Sequence, residues 1–561
     1  MAQNEKAAAP HGKALSICPS TRSSTWKGWL WDSADVSREE RRFLLKLDFT
    51  LLTFGTLGML IKWIDTSNIT NAFVSGMKED LNLYGNQYNY IVLAWTIGYI
   101  VGQWASRRIS LANSRTTTDV RFQPSNFILT RVRAHIWIPF LEIGWTIFTF
   151  ALSGAKTYQQ MLALRFVVGL FEAGYWPALY YILGSWYNKR ELGKRNGILQ
   201  SAVSIAPIFS GFLQAGIYTS LNGHAGLAGW RWLFVINGVI SLPIAILAFF
   251  CLPDTPGTAK PNWLFSEREI EIARERMSRA GRIPEGQPYS VKTILGYLTS
   301  WKTVLFTLVF SETSPHKACP SRAQSSLFLA MQPFGSQPAT SFVFWLKAHN
   351  KKGKPVVYTV AQINEYPTLS NAFTAVYSLL AVWLSDGPLR GRRWPTIIFG
   401  NLMAIVIFVL LVVTPVFGPF SHRAPLYILS SIGGTSVPLT MAWMSELLSE
   451  SAEQRAFTAA AMNTLQYVTS AWVPLVWFQQ VHQPNVTTGN KAAAIVTSFT
   501  VVTHIVIALL AHREKKAKKA NGQLKQTFVA SEAASPGLGS DDGKKSLADE
   551  EHDGIATLPT L

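Results

Sequence analysis

Long apolar stretches alternate with short polar ones along this chain. Apolar runs extend from Phe49 into the low seventies, then over 88–103, 136–153, 161–187, 198–218 and 232–252. A second set falls near 303–346, 366–384, 394–415, 425–447, 456–478 and 493–511. Most approach the roughly 20 residues that a helix needs to cross a bilayer. Backbone in hydrocarbon must satisfy its own hydrogen bonds, so such runs are expected to be helical. The pattern predicts an all-α membrane protein of twelve transmembrane helices in two related six-helix bundles.

Five segments follow from that layout: a cytosolic N-terminal tail (1–43), an N-terminal bundle (44–252), a cytosolic central loop (253–302), a C-terminal bundle (303–511) and a disordered cytosolic tail (512–561). In the central loop, Ser266 and Glu269 are spaced as a capping box ahead of EIEIARERMSRAG, which predicts a short helix ending near Gly281.

Composition agrees with the pattern and removes other classes. Hydrophobic residues make up 48% of the chain and charged residues 15%, against about 25% charged in soluble domains. The mean hydropathy is +0.16. A net charge of +18, from 51 Lys+Arg against 33 Asp+Glu, would suit nucleic acid in a soluble protein. Here the basic residues crowd the ends of apolar runs. Arg131, Arg133, Lys189, Arg190, Lys194, Arg195, Arg390, Arg392, Arg393 and Arg455 all fall on the side of both termini, which is therefore the cytosol. No nucleic-acid motif accompanies them.

The ten histidines do not group, and no nucleophile–base or metal-ligand spacing stands out, so no enzyme activity, cofactor or metal is expected. Cys18, Cys251 and Cys319 show neither metal nor disulfide spacing. The N-terminus lacks the apolar core of a signal peptide, leaving the first span to direct insertion. Asn485-Val486-Thr487 is a sequon on the outer side by this topology.

The chemistry concentrates in the fourth run, MLALRFVVGLFEAGYWPALYYILGSWY (161–187). Charges at membrane depth are expensive and usually functional. Arg165, Gly169 and Glu172 share one helical face, and the two charges stand roughly 10 Å apart along the axis. Each therefore needs a partner outside this helix. The first span offers Lys62 and Asp65, one turn apart and able to neutralise each other; the third contains Glu142.

Several separated stretches carry a resemblance. WIDTSNITNAFVSGMKEDLNLYGNQYNYI, RFVVGLFEAGYWPALYYILGSWY, GWRWLFVINGVI and LPDTPGTAKPNWLFSEREIE resemble the fungal allantoate-permease (anion:cation symporter) group of the major facilitator superfamily, over roughly residues 30–515. MQPFGSQPATSFVFWLKAHNKKGKPVVYTVAQINEYPT is similar to its pantothenate-transporter branch.

The resemblance implies a proton-coupled plasma-membrane symporter importing a small organic anion, most nearly pantothenate. Transport of another carboxylate (allantoate, biotin or nicotinate), or a non-transporting nutrient sensor, stays open. It implies a monomer whose partners are that anion and protons, with no nucleic acid. Asp65 and Glu172 match the acidic coupling positions, Arg165 the fourth-span arginine, and Asn68 closes the DxxN segment, so Lys62, Asn68 and Arg165 are candidate anion-binding residues. SDGPLRGRR, with Asp386, Arg390, Arg392 and Arg393, is similar to the superfamily's signature loop. ELGKR, with Glu191 and Arg195, resembles the acid–arginine loop after the fourth span, and AEQR, with Glu453 and Arg455, its degenerate counterpart. These loops are candidate cytosolic gates. Where related anion transporters often carry a cation after the first-span aspartate, this chain has Thr66, and Lys62 stands a turn earlier.

Two stretches of about twenty residues interrupt the family-like sequence. Residues 104–123 follow GYIVGQ, and 311–330 split the seventh span between TVLFTLVF and MQPFGSQP. Polar non-helical backbone is tolerated at membrane depth only when it is buried in protein or lines a cavity. Both stretches read as retained introns of the gene, which a transcript sequence would settle.

Overall fold

In the computed structural model the described residues are 37–111, 133–259, 261–279, 296, 299–310, 332–350, 355–386, 388–389, 391–434, 436–448 and 452–533. They are helical throughout, joined by turns. Helix α1 (Arg38–Leu47) runs through a π-turn into α2 (Thr53–Ala72), followed by α3 (Gln87–Leu111), α4 (Ala134–Leu152), α5 (Tyr158–Glu172) and α6 (Tyr175–Trp186). Next come α7 (Lys189–Leu221), α8 (Gly229–Cys251) and the central-loop helix α9 (Glu267–Arg279). The second half comprises α10 (Trp301–Phe310), α11 (Gln332–His349), α12 (Val360–Glu365), α13 (Thr368–Asp386), α14 (Trp394–Val413), α15 (Phe420–Ser430), α16 (Ser436–Leu447), α17 (Ala452–Val476) and α18 (Thr487–Ala533).

Among the described residues, eight helical stretches are long and apolar enough to cross a membrane: Arg38–Asp80, His135–Leu152, Tyr158–Trp186, Lys194–Leu221, Gly229–Cys251, Val360–Ser385, Trp394–Val413 and Thr487–Ala517. Helix α3, the pair α10 and α11, the pair α15 and α16, and α17 occupy the other four expected positions, but are more polar or shorter.

Three local features differ from the sequence reading. The fourth run is two helices, interrupted at Ala173–Gly174. Pro177 has no N–H to give the carbonyl four residues back, so the ladder opens directly after Glu172. Helix α3 continues to Leu111, past the expected end of the second span at 103, while the seventh position is split as expected between α10, only ten residues long, and α11; residues 112–123 and 311–330 lie outside the described residues. Last, α18 continues helically to Ala533, past the expected start of the tail at 512, through a run rich in the strong helix formers Ala and Lys. The described residues from Val506 to Ala533 belong to a separate unit.

Two buried clusters hold the larger unit. One joins Phe73, Tyr88 and Trp230 of the first half to Phe342, Phe344, Trp345 and Tyr427 of the second. The other fills the first half on the side of α1 and α9, where Phe43 and Trp186 meet Phe265, Ile270 and Ala273 of the central segment. Ser266 and Glu269 cap α9 reciprocally, with the Ser266 amide donating to Glu269 at 2.8 Å. Arg276 reaches Glu40 and Glu191, and Lys46 reaches Glu269 at 3.0 Å, so α9 docks on the first half.

Candidate functional site

Lys62, Asp65 and Asn68 lie three residues apart on α2, on one face, and are 2%, 1% and 0% exposed. Arg165 and Glu172 of α5 are as deeply buried, at 1% and 0%. The Lys62 ammonium donates to the Tyr99 hydroxyl at 3.3 Å and lies 4.7 Å from that ring's centroid. It does not pair with Asp65. Asp65 accepts from the Asn237 side-chain amide of α8 and from the Thr149 hydroxyl of α4 at 3.4 Å. Asn68 accepts from Ser210 of α7 at 2.7 Å, and Asn71 donates to the same hydroxyl at 2.7 Å.

The fourth-span charges are less satisfied. The Arg165 guanidinium sits 5.9 Å from the Trp95 ring, with Nε unpartnered. Neither carboxylate oxygen of Glu172 has a donor in good geometry, although the Trp95 indole faces it. Lys62 and Arg165 are the cations acting on Glu172; Arg165 and Glu172 are the charges acting on Asp65. The structure thus brings all five predicted interior residues into one neighbourhood.

A glycine seam sets the position of α5 against α3. A Cβ on Gly98 would overlap the Phe166 carbonyl, one on Gly102 would lie 2.6 Å from the Leu170 oxygen, and one on Gly169 would overlap the Trp95 carbonyl. Small residues allow such backbone contact between membrane helices. The contact fixes Trp95 beside Arg165 and Tyr99 beside Lys62. From the second half, Tyr467 of α17 closes on Tyr99 at 4.3 Å and on Trp95 at 6.1 Å between ring centroids. The charged site therefore lies where the halves meet.

The sequence did not single out Tyr99, Trp95, Tyr467, Thr149, Ser210 or Asn237, because neutral residues in apolar spans carry no spacing signal. Asn237, an amide inside GWRWLFVINGVI, was the one that polarity alone could have flagged.

The candidate gate residues behave differently from the interior set. Arg195 forks onto Asp48 at 2.6 and 2.7 Å, stacked 4.3 Å from the Tyr187 ring centroid. Glu191 accepts from Arg276 at 2.5 Å. Arg393 donates to Glu446 at 3.0 Å, and Arg392 is exposed. Each of these pairs stays within one half or ties α9 to the first half. Asp386 ends α13, but its side chain, like those of Arg390, Glu453 and Arg455, lies outside the described residues.

Polar contacts between the halves are found among the described residues at the predicted outer side. Lys347 pairs with Glu79 at 3.1 Å and donates to the Phe73 carbonyl at 3.3 Å. Asn364 donates to Ser75 at 3.0 Å, and Asn89 to the Pro474 carbonyl at 3.0 Å. Asn485 is exposed just ahead of α18 and accepts from Thr487 at 2.7 Å. Among the described residues, no cluster of three or more His, Cys, Asp or Glu could hold a metal ion.

A two-half helical protein with a buried charged site at the join defines a membrane transporter, and the chain belongs to the Major Facilitator Superfamily, whose pattern matches residues 55–474. It is similar to the pantothenate transporter liz1 of Schizosaccharomyces pombe, 28% identical with 86% of this chain and 85% of that protein covered. MFS transporter PfmaC of Pestalotiopsis fici is 31% identical, over 88% of this chain and 85% of that protein. The Vitamin H transporter of Saccharomyces cerevisiae is 29% identical, over 89% and 78%. Among solved structures, the D-xylose-proton symporter shares the fold, with a TM-score of 0.55 at 14% identity over 82% of this chain and 96% of that one.

Proposed function

We propose that this protein imports a small organic anion, pantothenate, across the plasma membrane together with protons, as a monomer with both termini in the cytosol. The observation that carries the reading is the buried set Lys62, Asp65, Arg165 and Glu172. Two cations and two acids sum to zero when all are ionised. An anion entering leaves a net buried charge, which is costly in low dielectric. Protonation of Glu172 or Asp65 removes it, so anion and proton travel together. Arg165 and Lys62 steer the carboxylate, and Asn68 borders the same site. The relatives that transport pantothenate and vitamin H support this class of substrate.

The halves then rock about the site. Lys347–Glu79 latches the outer side, while the Glu191, Arg195 and Arg393 pairs brace the cytosolic loops, with Asp386, Arg390 and Arg392 completing the second-half loop. Asn485 is the glycosylation position.

The test is uptake of radiolabelled pantothenate in cells lacking their own transporter, with allantoate, biotin and nicotinate as competitors. Wild-type uptake rises as external pH falls; Glu172→Gln abolishes that dependence. Equal transport by wild type and variant at every pH removes Glu172 from coupling. Binding without uptake points to a sensor.

A further inference from the structure

One buried acid has no part in the site described. Glu142 of α4 is 0% exposed, and neither carboxylate oxygen has a hydrogen-bond partner. It lies against Gly58 of α2, where a Cβ would come within 3.1 Å of its Oε1 and would overlap the Tyr175 hydroxyl. That hydroxyl, from α6, donates to the Gly55 carbonyl at 3.3 Å. Tyr175 is the titratable group facing Glu142 from α6.

Glu142 also stands in register with Asp65. On α4, Glu142, Thr146 and Thr149 follow at i, i+4 and i+7, a single stripe with about 6 Å between successive side chains. All three are buried, at 0%, 3% and 1% exposure. Thr149 at one end donates to Asp65; Thr146 in the middle has an unpartnered hydroxyl; Glu142 at the other end lies nearer the cytosolic start of α4. A polar stripe buried in an apolar helix interface is costly unless it serves a path.

We propose that Glu142 is a second proton station, taking the proton from Asp65 and passing it to the cytosol. The proton leaves the Asp65 carboxyl, moves along the Thr149 and Thr146 hydroxyls with intervening water, and protonates the Glu142 carboxylate. It then exits past Tyr175 to cytosolic water, which restores the anionic Asp65. The inference rests on proton-coupled import.

The test separates net uptake from exchange in proteoliposomes holding the full chain. Net accumulation of radiolabelled pantothenate under an inward proton gradient requires release of the proton inside; one-for-one exchange at equal pH does not. Glu142→Gln should lower net accumulation at least about a hundredfold, the low end of the range for a lost proton-transfer group, while exchange stays near wild type. Glu142→Asp should restore accumulation, and Thr146→Val should slow it with the carboxyl intact. Wild-type accumulation in Glu142→Gln overturns the proposal. So does equal loss of accumulation and exchange in Glu142→Gln with Thr146→Val unimpaired, which marks a packing role. Wild-type accumulation indifferent to the proton gradient defeats proton coupling itself, a result separable from the others.

Discussion

The glycine seam between α3 and α5 makes the sharpest prediction, through Gly169→Ala. In an exposed helix interior this change would stabilise by about 1 kcal/mol through propensity alone. Here the new Cβ overlaps the Trp95 carbonyl oxygen and comes within 3.0 Å of both the Trp95 carbonyl carbon and the Tyr99 nitrogen. All three are backbone atoms of a packed helix, so no rotamer change relieves them. The helices must part by about 1 Å to regain ordinary contact, and overpacking of this kind costs about 1–3 kcal/mol. The expected net is neutral to about 2 kcal/mol destabilising.

The functional loss should exceed the loss of stability. Parting the helices draws Trp95 and Tyr99 away from Arg165 and Lys62, and a misplacement of about 1 Å in a binding site can cost about 10²-fold. The assay pairs pantothenate uptake with thermal melting of the detergent-purified protein, followed by tryptophan fluorescence. Gly216→Ala in α7 is the control, since nothing lies within 4 Å of its Cβ. It should be neutral or stabilising. Wild-type uptake and melting in Gly169→Ala would refute the close-packed seam and the positioning argument built on it.

Other outcomes follow from the same geometry. Lys347→Glu opposes like charges at the outer latch and should change pantothenate uptake by a few-fold, because a rim pair contributes about 0–1 kcal/mol; Glu79→Lys in the same chain should restore it, and failure of that rescue removes the pair from gating. Ser266→Ala deletes the α9 cap and should weaken docking of that helix by about 1 kcal/mol, seen as faster proteolysis of the central segment. For Glu269, burial pushes the carboxyl up, but the Ser266 amide and the Lys46 ammonium outweigh it and hold it below the ordinary glutamate range. The sign follows directly: the docking it contributes is present above about pH 4.3 and is lost as pH falls through its lower folded value. Proteolysis of the central segment that does not quicken on acidification would contradict this.

Much of the site was legible because charge inside an apolar run is conspicuous. Arg165, Glu172, Lys62 and Asp65 announce themselves, and spacing alone shows that Arg165 and Glu172 cannot pair with each other. What spacing does not show is who answers them. Lys62 finds a tyrosine on α3 rather than the aspartate a turn away, and Asp65 finds an amide on α8. Those choices depend on which helices are neighbours and how they are rotated. The gate motifs show the same limit: nothing in the spacing of Glu191 and Arg195 names their ion-pair partners, Arg276 and Asp48, which are distant in sequence. Glu142 was visible but inert on paper, since only its register with Thr146, Thr149 and Asp65 gives it a path.

The interruption after Glu172 bears on the thickness of the membrane the protein inhabits. Tyr158–Trp186 is a 29-residue stretch, about 43 Å as continuous helix, against a hydrocarbon core of about 30 Å. A span with that surplus must tilt or bend, and bending is cheapest where the ladder is already open, at Ala173–Gly174. Mismatch with the lipid is thus absorbed next to Glu172 rather than spread along the helix. Lipid chain length becomes an experimental handle on the acid's surroundings, one that leaves the amino-acid sequence untouched.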